Sequence, residues 1–135
     1  MLNIFRRESD EYYLFEAVRK NSIGALRKAI KSIANIDATD DTGKTALWVA
    51  AKLGHVEAAK MLIEAGANVN FRYSDGRTPI FPCIEADNLA MVRLLVDSGA
   101  DLSVHDGAGY TPHSYASERS LSNILDRVNN GGRAD

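Results

Sequence analysis

The sequence predicts an all-α solenoid of stacked helix-turn-helix units joined by hairpin-like loops. The first observation behind this prediction is a repeat, because the chain fits onto itself when it is shifted by 33 residues. Gly43, Gly76 and Gly109 fall on that period, as do Thr45 and Thr78. The second is that each unit carries only short apolar stretches, too few to form a core of its own. Its helices must therefore pack against those of its neighbours.

The residues that open each unit form a recurring motif. It reads T-A-L-W-V-A from Thr45, T-P-I-F-P-C from Thr78 and T-P-H-S-Y-A from Thr111. Two further blocks lie in phase with it, G-H from Gly54 and G-A-N-V-N from Gly66. Together these blocks resemble the ankyrin repeat, whose signature is T-P-L-H-x-A at the same period. The resemblance spans about residues 10 to 128.

The period divides the chain into one domain of about four repeats. We place the units at about residues 11–39, 40–72, 73–105 and 106–128, with an N-terminal extension at 1–10 and a disordered tail at 129–135. The first and last units are degenerate and should act as caps, because a terminal unit has a neighbour on one side only.

Five residues at helix ends or inside a helix test this scheme. Thr45 is placed to cap the first helix of its unit through its hydroxyl, and Gly54 to end that helix in the left-handed conformation. Ser22 can cap the second helix of the first unit. Pro82 lies inside a helix, so we expect a tightened or bent first turn there, not a broken unit. Asp87 replaces a glycine at a turn and should adopt the left-handed conformation.

Composition narrows the class of protein. The net charge of -2 gives no electrostatic reason to expect nucleic acid or a membrane as partner. No apolar run approaches the roughly 18 residues that a transmembrane helix needs. Cys83 is the only cysteine, so no internal disulfide can form, and we expect a cytoplasmic protein. Residues 1–35 hold seven basic and four acidic side chains. That excess is either a solvated helix surface or a basic end that meets an acidic part of a partner.

The sequence offers no set of residues for catalysis. Cys83 takes a small-residue core position of the repeat, where packing is expected. His55, His105 and His113 do not show the spacing of metal ligands with a carboxylate. No phosphate-binding loop or nucleophile motif is present. We therefore expect a protein that is not an enzyme and that has no cofactor, no metal site and no catalytic residue.

The resemblance implies a binding surface made of loop tips and the exposed side of each first helix. The residues predicted to contact a partner are Lys44, Trp48, Lys52, Arg72, Tyr73, Asp75, Arg77, Phe81, Glu85, Tyr110, Glu118 and Arg119. Tryptophan, tyrosine and arginine are the residues most often found as binding hot spots. The alternative for Trp48 and Phe81 is that they pack against each other between neighbouring units.

These expectations lead to a functional hypothesis. The chain should be a non-catalytic protein–protein interaction module that acts stoichiometrically, as an inhibitor, adaptor or neutralising partner of immunity or antitoxin type. Its partner would be another protein, with no nucleic acid and no membrane involved, and the chain alone would be a monomer. The alternative is a structural or assembly protein that self-associates through exposed aromatic residues.

Overall fold

The computed structural model describes residues 9–118, which form seven α-helices and no β-strand. The helices are α1 (Asp10–Arg19), α2 (Ile23–Ser32), α3 (Ala46–Leu53), α4 (Val56–Glu64), α5 (Ile80–Glu85), α6 (Leu89–Asp97) and α7 (Pro112–Glu118). This confirms the all-α solenoid. The predicted tail at 129–135, the second helix of the last unit and most of the N-terminal extension lie outside the described residues.

The helices form two layers. In the first layer α1 packs on α3, α3 on α5 and α5 on α7, and in the second α2 packs on α4 and α4 on α6. Leu14, Leu47 and Ile80 lie in phase along the first layer, and each is at most 1% exposed. Leu62 and Leu95, also one period apart, are fully buried in the second layer. The core is therefore a continuous strip shared between units, as the repeat predicts.

The turns between units repeat one hydrogen-bond pattern at the period of the sequence. The backbone N–H of the first residue donates to the C=O of the fifth, from Asp40 to Lys44 (2.9 Å), Tyr73 to Arg77 (2.9 Å) and Asp106 to Tyr110 (2.8 Å). The glycine of each turn has positive φ, from 79° to 90°. This conformation favours glycine because it has no Cβ.

Helix ends follow the predicted caps with one exception. The Thr45 hydroxyl accepts from the Trp48 N–H at 3.2 Å, and Gly54 ends α3 with φ of 77°. Asp87 adopts the left-handed conformation at φ of 55°, as predicted. The Ser22 side chain makes no capping bond to α2, so that part of the prediction is wrong. Ser22 has ψ of 98°, against 164° at Thr45, and the helix is bonded by its backbone C=O, which accepts the Leu26 N–H at 2.9 Å.

The proline inside α5 tightens that helix without breaking its unit. Pro82 has no N–H to donate, and the Phe81 N–H bonds the C=O of Thr78 at 3.1 Å, a three-residue step. Helix α5 has six residues, against eight in α3. It still packs on both α3 and α7. The predicted tightening of the first turn is confirmed.

The turn that opens the third unit touches the next turn closely, which distinguishes two glycines one period apart. A Cβ on Gly76 would lie 2.9 Å from the backbone N of Gly107, whereas a Cβ on Gly43 would meet nothing within 4 Å. Both have nearly the same φ, 81° and 79°. We expect Gly43→Ala to cost about 1 kcal/mol of unfolding free energy through φ alone. Gly76→Ala should cost about 1 to 3 kcal/mol more, because backbone atoms must move apart. Urea unfolding of both variants measures the difference, and equal losses would contradict the close contact.

The buried thiol of Cys83 predicts a loss of stability in alkali. Burial raises the pKa of Cys83 from 9.0 to about 12, so the folded protein keeps a proton that the unfolded chain releases. Its contribution is therefore complete below pH 9.0 and falls as the pH rises toward about 12. Between about pH 8 and about pH 10, wild type should lose about 1.4 kcal/mol more unfolding free energy than Cys83→Ala. The measurement is urea unfolding with reductant present, and parallel losses in the two proteins would refute the prediction.

Candidate functional site

A groove opens on the first helix layer where the second and third units meet. Its volume is ≈ 440 Å³, and its lining residues are Trp48, Lys52, Asp75, Arg77, Pro82, Glu85 and Ala86. We call it the Trp48 groove. Helix α3 supplies the first two of these residues, α5 and its end supply the last three, and the turn between units supplies Asp75 and Arg77. Five of the predicted contact residues are thereby brought into one concavity.

Trp48 is half-buried and held from several directions. The ammonium groups of Lys44 and Lys52 each lie 5.0 Å from the centroid of its ring, within the range of a cation–π interaction. The Tyr73 ring meets it edge to face at 6.3 Å. Its backbone N–H is bound by the hydroxyl of Thr45. The indole is therefore fixed in position while one part of it faces the groove.

Tyr73 links two units and does not offer its ring to solvent. It is 5% exposed, and its hydroxyl lies 2.7 Å from that of Thr45 in the preceding unit. Burial raises its pKa, so the phenol stays protonated. The other two turns have Asp40 and Asp106 at this position, and both carboxylates accept backbone N–H groups of their turns. In the third unit Asp75 does so instead, accepting from the Arg77 N–H at 3.0 Å.

A charged network closes the far side of the groove. The guanidinium of Arg77 bonds the Glu85 carboxylate and lies 3.8 Å from that of Asp106. The Tyr115 hydroxyl donates to Glu85 at 2.8 Å. Partial burial opposes the charge on Arg77, but its bonds to Glu85 and Tyr115 outweigh that effect and raise the pKa of the guanidinium.

Phe81 is fully buried beneath this network, at 0% exposure. Its ring lies 5.7 Å from that of Tyr115, with the Arg77 guanidinium 5.6 Å from its centroid. Phe81 therefore packs between units, but its aromatic partner is Tyr115 of the next unit and not Trp48. Phe81 and Tyr73 shape the groove from within and expose almost no surface that could touch a partner.

The remaining predicted residues lie elsewhere. Arg72 turns away from the groove, toward the backbone C=O of His105 and that of Gly76. Tyr110 is half-buried against the Tyr115 ring, with centroids 6.1 Å apart. The structure does not describe the Glu118 side chain or Arg119.

Pro82 lines the groove but was not among the predicted contact residues, whereas Ala86 lies at a position that the repeat assigns to partner contact. The sequence held one signal for Pro82, because residues four apart, such as Pro82 and Ala86, share one side of a helix. Pro82 drew attention only as a helix breaker. Its place beside Trp48 depends on how α5 lies against α3, which no local pattern reports.

A second cleft lies on the first unit, between α1 and α2, with a volume of ≈ 500 Å³. Tyr13 lines it and is 53% exposed, and the neighbouring Tyr12 is 44% exposed. The two rings meet edge to face at 5.5 Å. The basic residues here are partly neutralised, because Glu16 lies 3.2 Å from Lys20 and 3.7 Å from Arg19.

The site's chemistry is that of a binding surface. Cys83, its nearest nucleophile along α5, is buried and directs its thiol to the C=O of Ile80 at 3.1 Å. Within residues 9–118, no three His, Cys, Asp or Glu side chains are grouped to hold a metal ion. No helix in that range has both the length and the apolar character needed to cross a membrane.

Comparison with known proteins agrees with the repeat architecture. A family model described as ankyrin repeats (3 copies) matches residues 14–106, more than half of the chain. Among curated proteins, none matches it. Ankyrin repeats typically bind other proteins and are generally non-catalytic. The chain therefore belongs to the ankyrin-repeat family of protein–protein interaction modules.

Proposed function

We propose that this chain binds another protein stoichiometrically through the Trp48 groove and the turns beside it, without catalysing a reaction. The observation that supports this most directly is the groove itself, which two neighbouring units line together. It presents Trp48 and Arg77, and tryptophan and arginine are residue types that often dominate the binding energy of an interface. A concave surface of this kind suits a protruding segment of a partner.

The contacts that hold the Trp48 and Arg77 side chains in place support tight binding of a partner. Trp48 is flanked by two lysines and by Tyr73. Arg77 is held by Glu85 and stacks near Tyr115. Side chains that are already immobile lose little conformational entropy when a partner arrives, so more of the contact energy appears as affinity.

The proposed role follows from this mode of action. A module that only occupies a surface changes its partner by covering that surface. We propose an inhibitor or a neutralising partner of immunity or antitoxin type, monomeric when alone. The buried, protonated thiol of Cys83 is consistent with this role, because a nucleophilic cysteine must be exposed and ionised.

Blocking the groove tests the proposal. Ala86 is exposed at the groove, and Ala90 is exposed on α6, in the second helix layer. Ala86→Arg should fill the groove and lower the retention of a stoichiometric partner from native lysate by about tenfold, because about 1.4 kcal/mol of contact is lost. Ala90→Arg makes the same substitution away from the groove and should retain the partner as wild type does. Quantitative mass spectrometry of the retained proteins gives the ratio. Equal retention by both variants would reject this surface.

The exposed pair Tyr12 and Tyr13 supports a second candidate function, in which the chain assembles with copies of itself through exposed aromatic residues. Light scattering after size-exclusion chromatography separates the two candidates. A binding module should show a mass of about 15 kDa at every concentration, in line with its chain mass of 14.7 kDa. A mass that rises with concentration in wild type but not in Tyr13→Ser would favour assembly.

A further inference from the structure

The carboxylates of the Trp48 groove are already engaged within the protein. Glu85 accepts from Arg77 and from the Tyr115 hydroxyl. Asp75 accepts the backbone N–H of Arg77 with one oxygen, and its other oxygen lies 4.0 Å from the Lys44 ammonium. Little negative charge is therefore left to attract a cation from a partner.

Lys44 and Lys52, the two lysines beside the Trp48 ring, are in the opposite situation. The ammonium groups of Lys44 and Lys52 converge on the Trp48 ring, each 5.0 Å from its centroid. Among the described residues, no carboxylate lies within 4.0 Å of Lys52, which is exposed. The one near Lys44 lies at the outer limit of an ion pair. The two lysines at the Trp48 ring thus have one carboxylate between them, at the outer limit of an ion pair, and the Lys52 ammonium remains available to a partner.

Apolar surface lies directly beside this charge. The Trp48 indole, Pro82 and Ala86 line the groove. Leu53 follows Lys52 at the end of α3 and is 48% exposed, the one large aliphatic side chain in the described part of the chain that is exposed to this degree. An indole with an adjacent cation fits a ligand that combines an apolar side chain with a carboxylate.

We propose that the Trp48 groove recognises an acidic segment of a partner protein, in which a carboxylate pairs with Lys52 and a neighbouring apolar side chain packs on Trp48. This inference rests on the proposed function and adds the chemical class of the partner. A polyanion such as nucleic acid fits less well, because successive phosphates each call for a cation, and Arg77, the other basic residue that lines the groove, is already paired with Glu85.

The chain carries its own reporter for a test. Trp48 is the only tryptophan in the sequence, so its fluorescence reports on a ligand that packs on the indole as proposed. The probes are two pools of short synthetic peptides, one in which Asp and Glu alternate with Leu, Phe and Tyr, and one in which Lys and Arg replace the acids. A single-stranded oligonucleotide is the third probe. The acidic pool should shift Trp48 emission at a concentration about tenfold lower than the basic pool or the oligonucleotide, and added salt should weaken its binding.

Charge reversal identifies the lysine responsible. Lys52→Glu should weaken binding of the acidic pool by about tenfold, equal to about 1.4 kcal/mol. Lys52→Gln should weaken it less. Lys60→Glu is the matched control, since Lys60 is also exposed but lies on α4, in the second helix layer. This variant should bind the acidic pool as wild type does. Unchanged far-UV circular dichroism establishes that the variants are folded.

Different results would contradict the acidic-segment inference and the proposed function. Equal binding of the acidic and basic pools, no binding of the acidic pool, tighter binding of the oligonucleotide, or no effect of Lys52→Glu would each overturn the inference. The proposed function would survive these outcomes if Ala86→Arg still lowered retention of the partner about tenfold while Lys52→Glu did not. It would fail separately if Ala86→Arg left that retention unchanged.

Discussion

Each unit of this protein buries its apolar surface against the unit beside it, and every other feature depends on that stacking. Leu14, Leu47 and Ile80 are buried on first helices that pack both on the second helix of their own unit and on first helices of neighbouring units. Such an array gains stability from its interfaces more than from any unit alone. The period of 33 residues in the sequence follows from this stacking, because a change in spacing would move the apolar residues of one unit out of register with those of the next.

Polar contacts fix the register of the stack more specifically than apolar burial does. The Tyr73 hydroxyl reaches Thr45 of the preceding unit, and the C=O of Asp75 accepts the N–H of Gly107 in the following turn at 2.7 Å. A hydrogen bond depends on distance and direction, so it tolerates less sliding than apolar contact. The third unit is therefore held from both sides, and the Trp48 groove beside it has a defined shape.

The same contacts separate structural aromatics from accessible ones. Phe81 lies under Arg77, and Tyr73 is enclosed against Thr45, so both support the groove from inside. Trp48 remains partly open with Lys52 beside it. The proposed preference for an apolar and acidic ligand rests on this combination of an indole, an adjacent ammonium group and carboxylates that are already hydrogen-bonded.

The sequence by itself determined the helical repeat, the cap at Thr45 and the left-handed turns, because each depends on residues within a few positions or on a strict period. It also predicted, residue by residue, most of the lining of the groove. It could not decide whether Phe81 faces solvent or the interior, nor that Pro82 would lie beside Trp48. Those facts depend on how α5 rests on α3 and α7. Burial is a property of the assembled stack, since the Tyr115 ring that packs on Phe81 comes from another unit.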